Sequence, residues 1–183
     1  MPTSTMIKCK LMTVSHKGEC VVNETADRSV VLDKKVPDFK ANATSGKDIV
    51  LSACRGYHVV IYFYPRDNTP GCTAESQDFR DLYAQFKTEK TCIFGISKDS
   101  LTSHENFKAK YELPFELISD PDGKLCDLFD VIKMKNMYGR QVMGIERSTF
   151  LIDKNGVLRE EWRKVKVNDH AQTVLEAVAA LNE

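Results

Sequence analysis

Two continuous apolar runs are the clearest feature of the chain. Residues 58–64 (HVVIYFY) and 91–97 (TCIFGIS) are rich in β-branched and aromatic side chains and show no alternation of apolar and polar positions. Such runs are typical of central strands that are covered on both faces. We therefore predict that each segment is a central strand of a sheet.

Helical periodicity lies between and after these two runs. Four apolar side chains recur at i, i+3, i+4 and i+7, which predicts one face of an amphipathic helix: Phe79, Leu82, Tyr83 and Phe86. A second helix is predicted over residues 101–111, where Asp99 and Ser100 introduce it. Asn168 or Asp169 is the predicted cap of a last helix. The apolar stripe of this last helix consists of Val174, Leu175, Val178 and Leu181.

Two hairpins are predicted near the ends of the regular pattern. Residues 36–39 and 49–51 flank a turn, which indicates a hairpin at the start of the domain. Residues 148–152 and 157–162 are joined by a loop that contains Asn155-Gly156, a strong signal for a tight hairpin turn.

The order of the elements predicts the fold. A short strand over residues 115–118 and a short helix over 124–130 complete the order strand–helix–strand–helix–strand, hairpin, helix. Parallel strands with right-handed helical crossovers, followed by a hairpin, favour a thioredoxin-like fold, an α/β three-layer α/β/α sandwich with a mixed central sheet. We expect one such domain at residues 29–183, preceded by an N-terminal extension of uncertain order at residues 1–28.

The composition limits the class of protein. Of the 183 residues, 42% are hydrophobic and 28% are charged, which is typical of a folded domain and excludes a disordered chain. Lys and Arg number 26, as do Asp and Glu, so the formal net charge is zero. This balance gives no reason to expect a nucleic-acid partner, and the longest apolar run, residues 59–64, is too short to span a membrane. We therefore expect no nucleic acid and no membrane among the partners.

The cysteines point to a reducing compartment. Residues 1–28 contain no continuous apolar stretch like a secretory signal, so we expect a cytoplasmic protein with free thiols. The six cysteines are Cys9, Cys20, Cys54, Cys72, Cys92 and Cys126. No two of them are separated by two residues, and the four histidines are scattered. We therefore expect neither a metal site nor a Cys-x-x-Cys redox pair.

Cys72 has an unusual position. It follows the strand that ends at Tyr64 and stands just after a Thr-Pro-Gly turn, at the start of the first helical pattern. Active sites of open sheets gather beyond the carboxyl ends of the strands, and a helix N-terminus stabilises a thiolate. A helix end supplies only about 0.3–2 kcal/mol, so a cation must contribute as well. The pattern equally allows an inert, buried cysteine. The arginines available as the cation include Arg66, Arg80, Arg140 and Arg147.

The segment YPRDNTPGCTAE, residues 64–75, resembles the active-site segment of the peroxiredoxins. The family pattern Pro-x-x-x-Thr-x-x-Cys is met by Pro65, Thr69 and Cys72. The form Thr-Pro-Gly-Cys-Thr is similar to the bacterioferritin comigratory protein branch, also called peroxiredoxin Q. Further matching segments stand in the same order along nearly the whole chain outside the extension: residues 96–100, 117–131 and 137–153.

The resemblance implies a thiol-dependent peroxidase that reduces hydrogen peroxide and organic hydroperoxides in antioxidant defence, without a cofactor. Cys72 would be the peroxidatic nucleophile, which becomes a sulfenic acid. Thr69 would hold the peroxide and the thiolate through its hydroxyl, and Pro65 would shield the thiolate from water. Arg147 would stabilise the thiolate and the polarised O–O bond, and Glu75 would orient Arg147.

The resolving cysteine of many relatives in this branch is missing at both of its usual positions. Gln77 stands five residues after Cys72, and Lys108 stands at the corresponding position of the next helix. We therefore expect one-cysteine turnover, in which an external thiol such as thioredoxin reduces Cys72 directly.

The other cysteines leave an alternative open. Cys54, or a cysteine of the extension, is a less favoured resolving cysteine, whereas Cys92 and Cys126 fit buried packing positions.

Two other functions compete with the peroxidase. A disulfide reductase or isomerase is disfavoured because Cys72 has no neighbouring cysteine at the required spacing. A peroxide sensor or redox-signalling protein would use the same reactive thiol. Because relatives of this branch are often monomeric, we expect a monomer.

Overall fold

The computed structural model describes residues 30–137 and 139–182. The extension, with Cys9 and Cys20, lies outside the described residues. The strands along the chain are β1 (Lys40–Ala43), β2 (Lys47–Val50), β3 (His58–Phe63), β4 (Thr91–Ser97), β5 (Glu116–Ser119), β6 (Ile132–Met137), β7 (Arg140–Ile145), β8 (Ser148–Ile152) and β9 (Leu158–Trp162). The helices are α1 (Pro70–Asp81), α2 (Tyr83–Thr88), α3 (Leu101–Lys110), α4 (Lys124–Leu128) and α5 (His170–Ala180), with a 3₁₀ helix at Leu51–Cys54.

Seven strands form one mixed sheet in the order β2-β1-β5-β4-β3-β8-β9. The three central strands β5, β4 and β3 are parallel to one another. The other neighbours, including the predicted hairpin of β8 and β9, are antiparallel. A hairpin also forms at the start of the domain, but its first strand is β1 and not the predicted residues 36–39. The mixed central sheet predicted from the sequence is therefore confirmed.

The sheet separates two hydrophobic cores, and more helices pack on one of its faces than on the other. Because successive side chains of a strand point to opposite faces, Val60 and Tyr62 of β3 join one core and Ile61 and Phe63 join the other. The first core also contains apolar side chains of α1, α2, α3 and α5. The second core is closed by α4, the 3₁₀ helix and the segment before β1. The three-layer arrangement is confirmed, with most of its helices on one face.

Two further local features differ from the sequence prediction. The helix predicted through Phe79 and Phe86 is interrupted at Leu82 and forms the two helices α1 and α2, although both phenylalanines stay fully buried. The strands β6 and β7 were not predicted. They pair in a separate two-stranded sheet whose exposed side chains include Met134 and Met143, so its sequence carries no continuous apolar run.

Among the residues that the structure describes, no helix has both the length and the apolar character needed to cross a bilayer.

Candidate functional site

The site lies where β3 passes into α1, at the carboxyl end of the parallel strands. Thr69 has extended backbone angles and is the N-cap of α1, and Pro70 is the first helical residue. Proline suits this position because its fixed φ fits the helix and it lacks an N–H group that would stay unpaired. Cys72 is the third residue of the helix and is only 1% exposed. Its sulfur therefore lies in the first turn, where backbone N–H groups favour an anion.

A buried polar network holds the loop that leads to Cys72. The carboxylate of Asp67 accepts hydrogen bonds from Tyr64 Oη at 2.8 Å and from Ser103 Oγ at 2.7 Å, and it lies 2.9 Å from His104 Nδ1. The backbone N–H of Asp67 donates to Asp99 Oδ2 at 2.8 Å. Burial acts to raise the pKa of Asp67, but the hydrogen bonds from His104 and Ser103 outweigh it and lower that pKa. The loop is thus anchored to α3 and to the end of β4.

Sequence reasoning did not identify Asp67 as part of the site. A signal was present, since Asp67 stands inside the motif between Pro65 and Thr69, and His104 falls within the helix predicted over residues 101–111. The pairing of two residues 37 positions apart is visible only in the folded chain.

The sulfur of Cys72 is held by one arginine. Arg147, in the short link between β7 and β8, donates from Nη2 to Cys72 Sγ at 3.3 Å. Its Nη1 donates to Glu75 Oε2 in a close ion pair. Of the other arginines considered as the cation, Arg80 instead bonds to its neighbour Asp81 and to the backbone of Tyr111. The guanidinium of Arg147 therefore bridges the thiol and a carboxylate.

Burial has opposite effects on the two partners of this ion pair. Glu75 is 1% exposed, and burial raises its pKa to about 7, although Arg147 acts to lower it. Burial acts to lower the pKa of Arg147, but the charges of Glu75 and Cys72 outweigh it and raise that pKa. The guanidinium is therefore a permanent positive charge beside the sulfur.

Gly71 makes room for this guanidinium. A Cβ atom at position 71 would lie 3.3 Å from Arg147 Nη2, a tight contact. Its φ is not positive, so the close approach of Arg147, and not an unusual backbone angle, is the structural reason for glycine here.

The remaining predicted residues lie in the same loop without a described hydrogen bond to Cys72. The hydroxyl of Thr69 donates to the backbone carbonyl of Arg66 at 3.0 Å. Pro65 follows β3 and is exposed.

A second cation was missed by sequence reasoning because it belongs to β6. Lys135 Nζ donates to the carbonyl of Ile145, two residues before Arg147. Burial and the charge of Arg147 lower the pKa of Lys135, whereas the sulfur of Cys72 acts to raise it.

The structure places the other described cysteines away from Cys72. Cys126 is fully buried in the core on the opposite face of the sheet. Cys54 precedes β3, and Cys92 is the second residue of β4, so both lie at the amino ends of the strands that carry Cys72 at their carboxyl ends. Lys108, which replaces a resolving cysteine, pairs with Glu116 at 2.5 Å.

The comparisons with known proteins agree with this geometry. Residues 32–161 match the AhpC/TSA family. The chain is 46% identical over 155 residues to peroxiredoxin Bcp of Bacillus subtilis, covering 85% of this chain and 99% of the relative. It is 51% identical over 143 residues to peroxiredoxin Bcp of Xanthomonas campestris, covering 78% of this chain and 89% of the relative.

Solved structures show the same fold. The bacterioferritin comigratory protein of Xanthomonas campestris, whose structures were determined to explain its alkyl peroxide reduction activity, matches with a TM-score of 0.76 and 49% identity over 79% of this chain and 92% of that chain. A mutant of peroxiredoxin Q from Xylella fastidiosa matches with a TM-score of 0.80 and 40% identity, over 84% and 98% of the two chains. The predicted thioredoxin-like fold is confirmed. The chain belongs to the AhpC/TSA family, in its bacterioferritin comigratory protein or peroxiredoxin Q branch.

Proposed function

We propose that this thiol-dependent peroxidase reduces hydrogen peroxide and alkyl hydroperoxides through Cys72. The observation that carries the assignment is the hydrogen bond from Arg147 Nη2 to the buried sulfur at the N-terminus of α1. A thiolate is the reactive form of cysteine, and a charged donor together with a helix N-terminus stabilises it.

Cys72 attacks one oxygen of the peroxide in line with the O–O bond. The sulfur gains that oxygen and becomes a sulfenic acid, and the other oxygen leaves with the electron pair and a proton as water or an alcohol. Negative charge moves from the sulfur to the leaving oxygen, so a fixed cation between them stabilises the transition state. Arg147 is that cation, and Glu75 keeps its guanidinium in place.

Thr69 and Pro65 complete the proposed site. The hydroxyl of Thr69 uses its hydrogen on the carbonyl of Arg66, so its oxygen is oriented as an acceptor for the O–H of a hydroperoxide. In this proposal Pro65, an exposed residue of the same loop without an N–H group, shields the thiolate from water.

Turnover requires an external thiol such as thioredoxin, which reduces the sulfenic acid of Cys72. One-cysteine turnover is supported by the positions of the described cysteines, because Cys126 lies on the other face of the sheet and Cys54 at its other end. Lys108 and Gln77 occupy the two usual resolving positions.

Peroxide consumption by the wild-type chain and by Cys72→Ser, coupled to thioredoxin and its reductase, tests the assignment. We expect multiple turnovers for the wild type with both hydrogen peroxide and cumene hydroperoxide, and a loss of most of this rate in the variant. A sensor would instead be oxidised once per chain without turnover. That result would overturn the peroxidase assignment.

Mass spectrometry after one equivalent of peroxide tests the one-cysteine mechanism. We expect a sulfenic acid at Cys72 that dimedone traps. A disulfide between Cys72 and any other cysteine of the chain would contradict one-cysteine turnover while leaving the peroxidase activity intact.

We further propose a monomer in a reducing compartment such as the cytoplasm. The described cysteines are all free thiols, as expected where glutathione and thioredoxin keep cysteines reduced. Sedimentation at micromolar concentration tests the oligomeric state, and a dimer mass would contradict it.

A further inference from the structure

Two cysteines outside the site already described lie side by side. Cys54 is the last residue of the 3₁₀ helix before β3, and Cys92 is the second residue of β4. The parallel register pairs Cys92 with Val59, so β4 brings Cys92 next to the start of β3. Both side chains pack against the same hydrophobic core, and the two thiols interact with each other. In its protonated form, the Cys54 thiol donates to the carbonyl oxygen of Val50 at 3.7 Å.

The pair is accessible, unlike Cys126. Both side chains are half-buried, and Cys92 lines a surface pocket together with Tyr83 and Glu116. A small oxidant in solution can therefore reach the pair.

The surroundings favour an anion on one sulfur of the pair. The hydrogen bond from the Cys92 thiol lowers the pKa of Cys54 to about 7, against the effect of burial. The guanidinium of Arg55 lowers this pKa further, whereas the carboxylate of Asp38 acts to raise it. The same hydrogen bond raises the pKa of Cys92, which therefore keeps its proton. A partly ionised thiolate beside a protonated thiol is the arrangement in which a disulfide forms readily.

The pair is separate from the peroxidatic site. Cys54 lies before the first residue of β3 and Cys92 pairs with its second residue, whereas Cys72 lies beyond its last residue. At about 3.3 Å per residue, the four steps from Val59 to Phe63 span roughly 13 Å, so the two sites lie at opposite ends of the strand. A disulfide between Cys54 and Cys92 therefore needs no movement of α1.

We propose that Cys54 and Cys92 form a second redox site, which peroxide closes to a reversible disulfide independently of Cys72. This inference goes beyond the peroxidase activity and does not depend on the role of Cys72.

The chemistry balances with the reactants of the known activity. The thiolate of Cys54 attacks one oxygen of a hydroperoxide, becomes a sulfenic acid and releases the other oxygen as an alcohol or water. The sulfur of Cys92 then attacks the sulfenic sulfur, an S–S bond forms, and the hydroxyl group leaves with a proton as water. One peroxide thus accepts two electrons from two thiols, and an external dithiol returns them by thiol–disulfide exchange. We expect the reaction at Cys54 to be slower than at Cys72. Arg147 donates a hydrogen bond to the sulfur of Cys72, whereas among the described residues no arginine donates one to the sulfur of Cys54.

The full-length Cys72→Ser variant provides the test, because it removes the faster peroxide consumer. The reduced variant is treated with excess hydrogen peroxide, its remaining thiols are alkylated, and tryptic peptides are identified by mass spectrometry. Trypsin releases Cys54 in peptide 48–55 and Cys92 in peptide 91–98. We expect these two peptides to be joined by a disulfide, with a loss of two alkylatable thiols that dithiothreitol restores.

A matched variant checks the order of events. In Cys72→Ser/Cys92→Ser we expect a sulfenic acid on Cys54 that dimedone traps, and no joined peptides. The proposal is overturned if both cysteines stay alkylatable, if Cys54 goes to a sulfinic acid with Cys92 intact, or if Cys54 pairs with another cysteine. The wild-type chain, oxidised to completion, gives the same readout should a variant fail to fold.

Discussion

Cys72 and Cys126 occupy nearly the same local position, but their sulfurs lie beside side chains of opposite charge. Each is the third residue of a helix, Cys72 in α1 and Cys126 in α4, and they are 1% and 0% exposed. Burial raises the pKa of Cys126 far above its ordinary value, and the nearby carboxylate of Asp120 raises it further. Cys72 instead receives a hydrogen bond from the guanidinium of Arg147.

The comparison shows that a helix N-terminus does not by itself make a cysteine reactive. At Cys126 the backbone N–H of the cysteine donates to Asp120 Oδ2 at 2.8 Å, so an anion already occupies the end of the short helix. At Cys72 the first turn of a helix of twelve residues and a fixed cation act together. The partner of opposite or like charge, supplied by a distant part of the chain, decides which sulfur can attack a peroxide.

The largest effect is expected from Arg147→Lys. Lysine keeps a positive charge but cannot bridge Cys72 and Glu75 with a planar fork. Removing one preorganised donor from a developing charge typically costs 100-fold or more in rate, and we expect a loss of about 100-fold in kcat/KM for peroxide. Stopped-flow kinetics of the reduced enzyme measures this loss.

Arg80→Lys is the control, because Arg80 lies in the same helix as Cys72 but bonds to Asp81 and to the backbone of Tyr111. We expect it to change the rate less than twofold (about 0.4 kcal/mol). Equal losses in both variants would show that the specific bridge is unimportant.

Glu75→Gln is expected to change how stability depends on pH. Burial raises the pKa of Glu75 from 4.5 to about 7, so the folded chain keeps a proton that the unfolded chain releases between these values. The stabilisation from this proton is fully present below pH 4.5 and is lost as the pH rises through 7. Glutamine does not titrate, so the free energy of unfolding of the variant should rise relative to the wild type over this range, by up to about 3 kcal/mol. Urea unfolding between pH 4.5 and 8 measures the difference.

Glu116→Gln is the matched control for this pH effect. Burial acts to raise the pKa of Glu116, but hydrogen bonds from Lys108, Lys47 and Thr44 lower it to about 2. The stabilisation from ionised Glu116 is lost only as the pH falls below about 4.5 and through 2. The difference in free energy of unfolding between Glu116→Gln and the wild type should therefore stay constant between pH 4.5 and 7. If the difference in free energy of unfolding between Glu75→Gln and the wild type is equally constant, Glu75 is ionised over the whole pH range and the expected pKa shift is wrong.

Gly71→Ala tests the fit between helix and guanidinium. The added Cβ would lie 3.3 Å from Arg147 Nη2, so the guanidinium must move by a few tenths of an ångström. Small displacements of a positioned group reduce rate, and we expect a loss of roughly tenfold in kcat/KM with little change in stability. Gly144→Ala is the control, because its Cβ would meet Lys135 at an ordinary 3.6 Å. Unchanged kinetics for Gly71→Ala would show that the guanidinium position tolerates such shifts.

The sequence allowed the elements of the sheet to be predicted better than the site. The strands β3 and β4 are unbroken apolar runs because both of their faces are buried. Such a run can be recognised from neighbouring residues alone. The hairpin β6–β7 has no such run because its side chains are largely exposed. The break at Leu82 could not be predicted because the apolar residues on either side of it, Phe79 and Phe86, keep helical spacing in the sequence.

The partner of Cys72 could not be predicted from local pattern. Arg147 is 75 positions away and stands in a link without periodicity, so only the resemblance to a family singled it out. The network around Asp67 was missed for the same reason, because its partners Ser103 and His104 belong to another helix. Local patterns report burial and periodicity, whereas charge partners depend on which distant segments the fold brings together.

Cys126→Ala is expected to have the smallest effect and completes the comparison. Since Cys126 lies in the core on the other face of the sheet, removing its sulfur should leave kcat/KM within twofold of the wild type (about 0.4 kcal/mol). It should lower the free energy of unfolding by about 1 kcal/mol through lost packing. Alkylation of the native wild-type chain gives a second measure, since the sulfur of Cys126 is buried and protonated and should react only when the chain unfolds. A Cys126 that reacts in the folded state as fast as Cys72 would show that position in a helix, and not the charge partner, controls reactivity.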